Sequence, residues 1–175
     1  MWVALVVVLS PLGLGQGLEI GTCGEVSTAK PGEGQSYRGT VRNSDYGIRV
    51  TIPRELTGWG AAPTAPFHGF VIYLDQRGTS CINLDVGMVV NPDNQPIPPV
   101  EEQGGIPVRI GSRIGFRRVS HGAIGGKQFE SVVVVFRWKR GDETYGLALT
   151  LITPTLAAKE TEAVFERLVS SLRFQ

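Results

Sequence analysis

Two cysteines, two histidines and a cluster of arginines hold most of the chemistry this chain could perform. Cys23 and Cys81 are the only thiols, and His68 and His121 the only imidazoles. In an exported protein an even pair of cysteines most simply forms a disulfide. Closing a loop of that length contributes roughly 4 kcal/mol in the chain-entropy model. The competing chemistry makes Cys81 a nucleophile assisted by His68, but nothing around it resembles a thiol-protease signature, and exported free thiols tend to oxidise. Ser120 and His121 are the second hydrolase pair. Adjacency in sequence does not make a triad, and the chain has no Gly-x-Ser-x-Gly elbow. The sequence therefore assigns no catalytic residue. It assigns no metal site either, because His-x-His, His-x-x-x-His and Cys-x-x-Cys spacings are all missing. No cofactor is expected.

Other motifs fall short on their own chemistry. The stretch from His121 through Gly122, Gly125 and Gly126 to Lys127 is near a phosphate loop. His121 stands where the first glycine should be, and Gln128 replaces the hydroxyl that binds magnesium. A hairpin is the expectation there. Arg140-Gly141-Asp142 spells an adhesion tripeptide, yet Gly and Asp are also what a tight turn needs. Asp85, Asn91, Asp93 and Asn94 lack the spacing of a calcium loop and its closing glutamate. Arg113, Arg117, Arg118 and His121 make up a local basic patch. Its plain reading is a solvated sheet face, and its functional reading is a binding site for an anionic ligand or an acidic partner. Trp59, Phe67 and Tyr73 could line a partner surface or close over the end of a sheet.

The elements that position these residues are mostly strands. Ile48, Val50 and Ile52 alternate with Arg49 and Thr51, and Pro53 ends the run. A short strand is expected from Tyr37 to Val41. Strands over 69–74 and 80–86 flank the turn residues Asp75-Gln76-Arg77-Gly78. Residues 108–119 read as a strand or a bent pair. Ser131 to Trp138 is apolar on both faces, which predicts a central strand covered on two sides. It pairs with Tyr145 to Ile152. Residues 91–107, with Pro92, Pro96, Pro98, Pro99 and Pro107, predict an extended loop that could cover a site. One helix is expected near the C-terminus, with Thr153 as N-cap, Pro154 as its first residue, and an apolar stripe of Val164, Phe165, Leu168, Val169 and Leu172. The fold class is α+β: a largely antiparallel, twisted sheet with a C-terminal amphipathic helix packed on one face.

The N-terminus sets the compartment. Residues 1–17 are uncharged, and Trp2 to Leu9 is apolar. The run is broken by Pro11 and followed by Gly15-Gln16-Gly17, a small-x-small cleavage pattern. The run is too short for a transmembrane helix. No Lys or Arg precedes it, so either the signal is weak or the start lies upstream. An uncleaved anchor and lipidation at Cys23 are the alternatives; Thr22 departs from the small residue a lipobox requires. The organisation expected is a signal peptide over 1–17, an arm over 18–36 and one α+β domain over 37–175. With 17 Lys plus Arg against 16 Asp plus Glu, the net charge is +1. That argues against general nucleic-acid binding and against a polybasic membrane site beyond the targeting segment. No N-glycosylation acceptor occurs.

Two segments, Asn43-x-x-Tyr46-Gly47-Ile48-x-Val50-x-Ile52-Pro53 and the closing helix running into Ser171-Leu172-Arg173-Phe174, resemble small exported Mog1/PsbP-like domains. They cover about a fifth of the chain, and the proline-rich middle departs from the pattern. The resemblance implies a non-catalytic binding or assembly domain and carries over no site residue. The function expected is a periplasmic or secreted domain that binds an envelope or extracellular protein or scaffolds an assembly. A small-ligand carrier, or a hydrolase using Ser120/His121 or Cys81/His68, is the alternative.

Overall fold

The computed structural model describes residues 23, 30–32, 34–60, 68–89 and 105–175. The targeting segment, most of the arm, Phe67 and residues 90–104 lie outside the described residues, and with them most of the proline-rich loop and the Asn91, Asp93 and Asn94 cluster.

Eight antiparallel strands form the main sheet, in the order β1-β4-β5-β6-β10-β9-β8-β7. These are β1 (Gln35–Tyr37), β4 (Gly58–Gly60), β5 (Gly69–Tyr73), β6 (Cys81–Met88), β7 (Ile106–Ile110), β8 (Arg113–Ile124), β9 (Lys127–Arg140) and β10 (Glu143–Pro154). A second sheet of three strands holds β2 (Thr40–Asn43), β3 (Ile48–Thr51) and β11 (Arg173–Phe174) in the order β11-β3-β2. A single 3-10 turn (Thr155–Ala157) leads into helix α1 (Ala158–Ser171). The molecule is sheet-rich, so the α+β description holds only loosely: strands dominate, with one described full helix packed on the sheet.

Three consecutive hairpins, β7–β8, β8–β9 and β9–β10, turn on two residues each: Gly111-Ser112, Gly125-Gly126 and Gly141-Asp142. Gly125 and Gly126 have φ of 57° and 78°. Positive φ at both positions is what a two-residue hairpin needs to follow the strand twist. The phosphate-loop-like stretch is therefore a hairpin. Asp75 organises the β5–β6 connection, accepting hydrogen bonds from the Arg77 and Thr79 amides at 2.8 and 3.1 Å and from the Thr79 hydroxyl at 2.7 Å. Gly69 packs so closely on β6 that a Cβ there would lie 1.8 Å from the Leu84 carbonyl oxygen.

Strand alternation sorts the main sheet into two faces. The inner face carries Phe70, Ile72, Ile82, Leu84, Val86, Leu147, Leu149, Leu151, Val132, Val134, Phe136 and Trp138, all buried. Phe165, Leu168, Val169 and Leu172 of the C-terminal segment close over it, together with Ile48, Val50 and Ile52 of β3 and its flank. The helix stripe and the β3 alternation fall where the sequence puts them.

Four sequence expectations change. The helix begins at Ala158, after the 3-10 turn, and its first turn has no side-chain cap. Thr153 is instead fully buried in β10, where its hydroxyl oxygen accepts from Ser80 and Thr161 at 3.0 and 3.1 Å. Strand β9 is central but not covered equally: Val133 and Val135 on its outer side are only half-buried. The loop expected over 91–107 ends before Ile106: residues 108–119 take the paired form, and the first strand of the pair begins at Ile106 and runs through Pro107. The strand expected from Tyr37 to Val41 is divided between β1 and β2, which belong to different sheets.

Candidate functional site

Cys23 and Cys81 are joined in a disulfide, with their Cα atoms 6.0 Å apart. The bond lies on the outer face of the main sheet, in a small cluster of Val71, Phe129 and Ile152 with Trp59, Tyr73 and Ile124 packed against it. Trp59 and Tyr73 thus close over the sheet rather than project from it. Cys81 has no free thiol, so the Cys81/His68 nucleophile is removed.

His68 instead belongs to a polar group at the open end of the β5–β6 hairpin. Its Nδ1 lies 3.4 Å from the Tyr46 hydroxyl and 3.4 Å from the Val86 carbonyl oxygen. Asp85, on the outer face of β6, lies near enough for His68 to lower its pKa. Burial is the larger influence and holds the carboxyl above its ordinary 3.8. Burial likewise raises the Tyr46 phenol, and Tyr145, Asp45 and Asp85 add to the effect. The group holds an acid and a base but lacks the thiol with which the sequence paired His68.

The basic strand β8 is split by its own alternation. Arg113, Arg117 and His121 share the inner side, while Arg118 points to the outer side. Arg117 reaches back to α1, where its guanidinium bonds Glu162 and its Nε lies 3.5 Å from Glu166. These two carboxylates are one helical turn apart, so Arg117 clamps the helix to the strand. His121 is 62% exposed and sits 3.3 Å from the Glu130 carboxylate on β9. Ser120 and His121 face opposite sides of the strand, and this separates the second hydrolase pair. Arg140 of the adhesion-like tripeptide donates to the Ser44 and Asp45 carbonyls and ties the β9–β10 turn to the β2–β3 turn. Sequence reasoning missed the Arg117–Glu162–Glu166 clamp. Its signal was the four-residue spacing of the two glutamates.

No family model matches the chain, and no curated protein matches it in sequence. Likeness to solved structures is another matter. In fold, the chain resembles LpqN of Mycobacterium tuberculosis. The TM-score is 0.59 at 13% identity, over 81% of this chain and 91% of that one, and LpqN is described as involved in cell envelope biogenesis. A Bacteroides thetaiotaomicron protein aligns at TM-score 0.50 and 12% identity over 82% of this chain, which spans 49% of that protein's length. PsbP (CyanoP) of Synechocystis sp. PCC 6803 aligns over 95% of this chain and all of its own, at 12% identity and TM-score 0.39. That last likeness is too distant to bear on the fold. The LpqN comparison, at its identity, speaks for a shared fold and nothing finer.

Among the described residues no group of His, Cys, Asp and Glu is arranged to hold a metal ion. Nor is any described helix long and apolar enough to cross a membrane.

Proposed function

We propose that this chain is an exported, non-enzymatic domain of the cell envelope that binds a partner protein or scaffolds an assembly there. The observation that carries this reading is the fold shared with LpqN, an envelope-biogenesis protein, over nearly the whole of LpqN. The Cys23–Cys81 bond supports export, since such crosslinks persist in oxidising compartments and are rare in the cytosol. The chemistry of the site agrees. One candidate nucleophile is held in the disulfide, the other faces away from its histidine, and the basic strand offers charge and exposed backbone instead.

The test is affinity capture of the full chain, expressed with its own N-terminus, from crosslinked envelope extract. A stoichiometric envelope protein that co-purifies with it supports the reading. A monomer that recovers no partner, or a protein retained in the cytosol with both thiols alkylatable before reduction, overturns it.

A further inference from the structure

Among the described residues, strand β8 has a neighbour on its outer edge for only part of its length. β7 pairs with it from Arg113 to Arg117, where Ile106 faces Arg117, and then ends. β8 continues to Ile124. The hairpin fixes which backbone groups this bare stretch presents. Ile124 and Lys127 flank a two-residue turn and therefore exchange both hydrogen bonds, and so does every second pair back along β9. Arg118, Ser120, Gly122 and Ile124 are thus satisfied by β9. Val119, His121 and Ala123 turn their amide and carbonyl groups away from it, and among the described residues nothing pairs with them.

Free edges are usually guarded. β7 is: counting from its own two-residue turn, Pro107 faces outward, and a proline has no amide to offer. The stretch from Arg118 to Ile124 contains no proline and no lysine. Val119 is 40% exposed, and Gly122 and Ala123 leave room for a neighbouring chain. Its cation is Arg118 on the outer side, with exposed Lys127 beyond Ile124, while His121 on the inner side sits beside Glu130. A second copy fits poorly. Pairing about a two-fold axis through His121 would set the two imidazoles opposite each other and leave Arg118 facing Ile124, with no carboxylate from the second copy to meet Arg118.

We propose that the edge of β8 from Arg118 to Ile124 accepts an extended, carboxylate-bearing segment of the partner protein as an added strand. This rests on the partner-binding reading above and names the kind of partner. Backbone bonds at Val119, His121 and Ala123 supply the register. Arg118 is exposed on the outer side, so the matching segment carries an acidic residue opposite it.

The probe is a short valine/threonine peptide with one glutamate placed to face Arg118, alongside its glutamine counterpart. Hydrogen exchange in the free protein should be slow at the amides of Ser120 and Gly122 and fast at Val119, His121 and Ala123. The acidic peptide should slow the fast set. Ala123→Pro removes one outward amide without touching a β8–β9 bond and should weaken the peptide by about tenfold. Arg118→Glu should weaken the acidic peptide by about threefold or more and spare the glutamine one. Equal binding by wild type and A123P overturns strand addition, and equal binding of both peptides by wild type overturns the acidic partner. A dimer that A123P disperses assigns the edge to a second copy and also overturns the proposal. Envelope capture with A123P separates the two levels. A partner held equally by wild type and A123P overturns the edge but keeps the function, whereas no partner for either protein removes the function itself.

Discussion

The two faces of the main sheet are held by different forces. The inner face is a continuous aliphatic and aromatic layer, pressed by α1 and β3 from distant parts of the chain. The outer face carries Asn83, Asp85, Gly87, Gly146, Thr150 and Val133, all half-buried, and its one compact cluster is anchored by the Cys23–Cys81 bond. Burial of apolar area drives the first. A covalent restraint on the unfolded chain stabilises the second. The inner face should therefore fail as a whole when it is cut, and the outer face should loosen locally.

The sharpest cut is Phe165→Ala. Phe165 is fully buried between helix and sheet, and its loss should cost about 3–5 kcal/mol in denaturant unfolding. Reduction, or Cys23→Ser, should cost about 4 kcal/mol, but with a different pattern. Exchange protection should fall around Val71 and Ile152 and persist at Leu149. Equal loss on both faces would show that the comparison is false. Arg117→Met removes the clamp onto Glu162 and Glu166 and should lower stability by about 1 kcal/mol, with a dependence on salt.

Two carboxylates give the finest test, because their shifts have opposite signs. Asp85, raised by burial, keeps its proton in the folded state at pH values where the unfolded chain has released it. Its contribution is fully present below the ordinary 3.8 and is lost as pH rises through the folded pKa. Asp85→Asn should thus stabilise the protein at neutral pH, with the gain vanishing in acid. At Asp75 burial works upward but is outweighed by hydrogen bonds from Thr79, Arg77 and Ser80, so its pKa is lowered. Its contribution is present above 3.8 and is lost as pH falls through the lowered value. Asp75→Ala should therefore cost stability at neutral pH and little in acid. This effect should be the smallest of the set, because the group is largely solvated. Melting temperatures of both variants across pH 2–8 would show the opposed slopes.

Much of this was legible in the chain. The alternation of Ile48, Val50 and Ile52, the turn residues around Asp75 and Gly125, the helix stripe ending at Leu172 and the cysteine pair are local patterns or simple arithmetic, and each reappears in three dimensions. The helix start was not legible. Thr153 looks like a cap in sequence, but Ser80, 73 residues away, claims its hydroxyl. The site was legible only as a set of residue types. Arg113, Arg117, Arg118 and His121 read as one patch, yet strand alternation turns Arg118 from the rest, and Glu162 and Glu166 occupy Arg117.

What the sequence alone determined was periodicity: which stretches must be strands, which helix needs a sheet beneath it, and which two thiols are available to each other. These follow from side-chain spacing along a chain with fixed geometry. Only the tertiary structure decided which face each strand turns inward, which carboxylate loses its water, and where β7 stops beside β8. Those outcomes depend on partners far away in sequence, and a strand's own residues do not record where its neighbour ends.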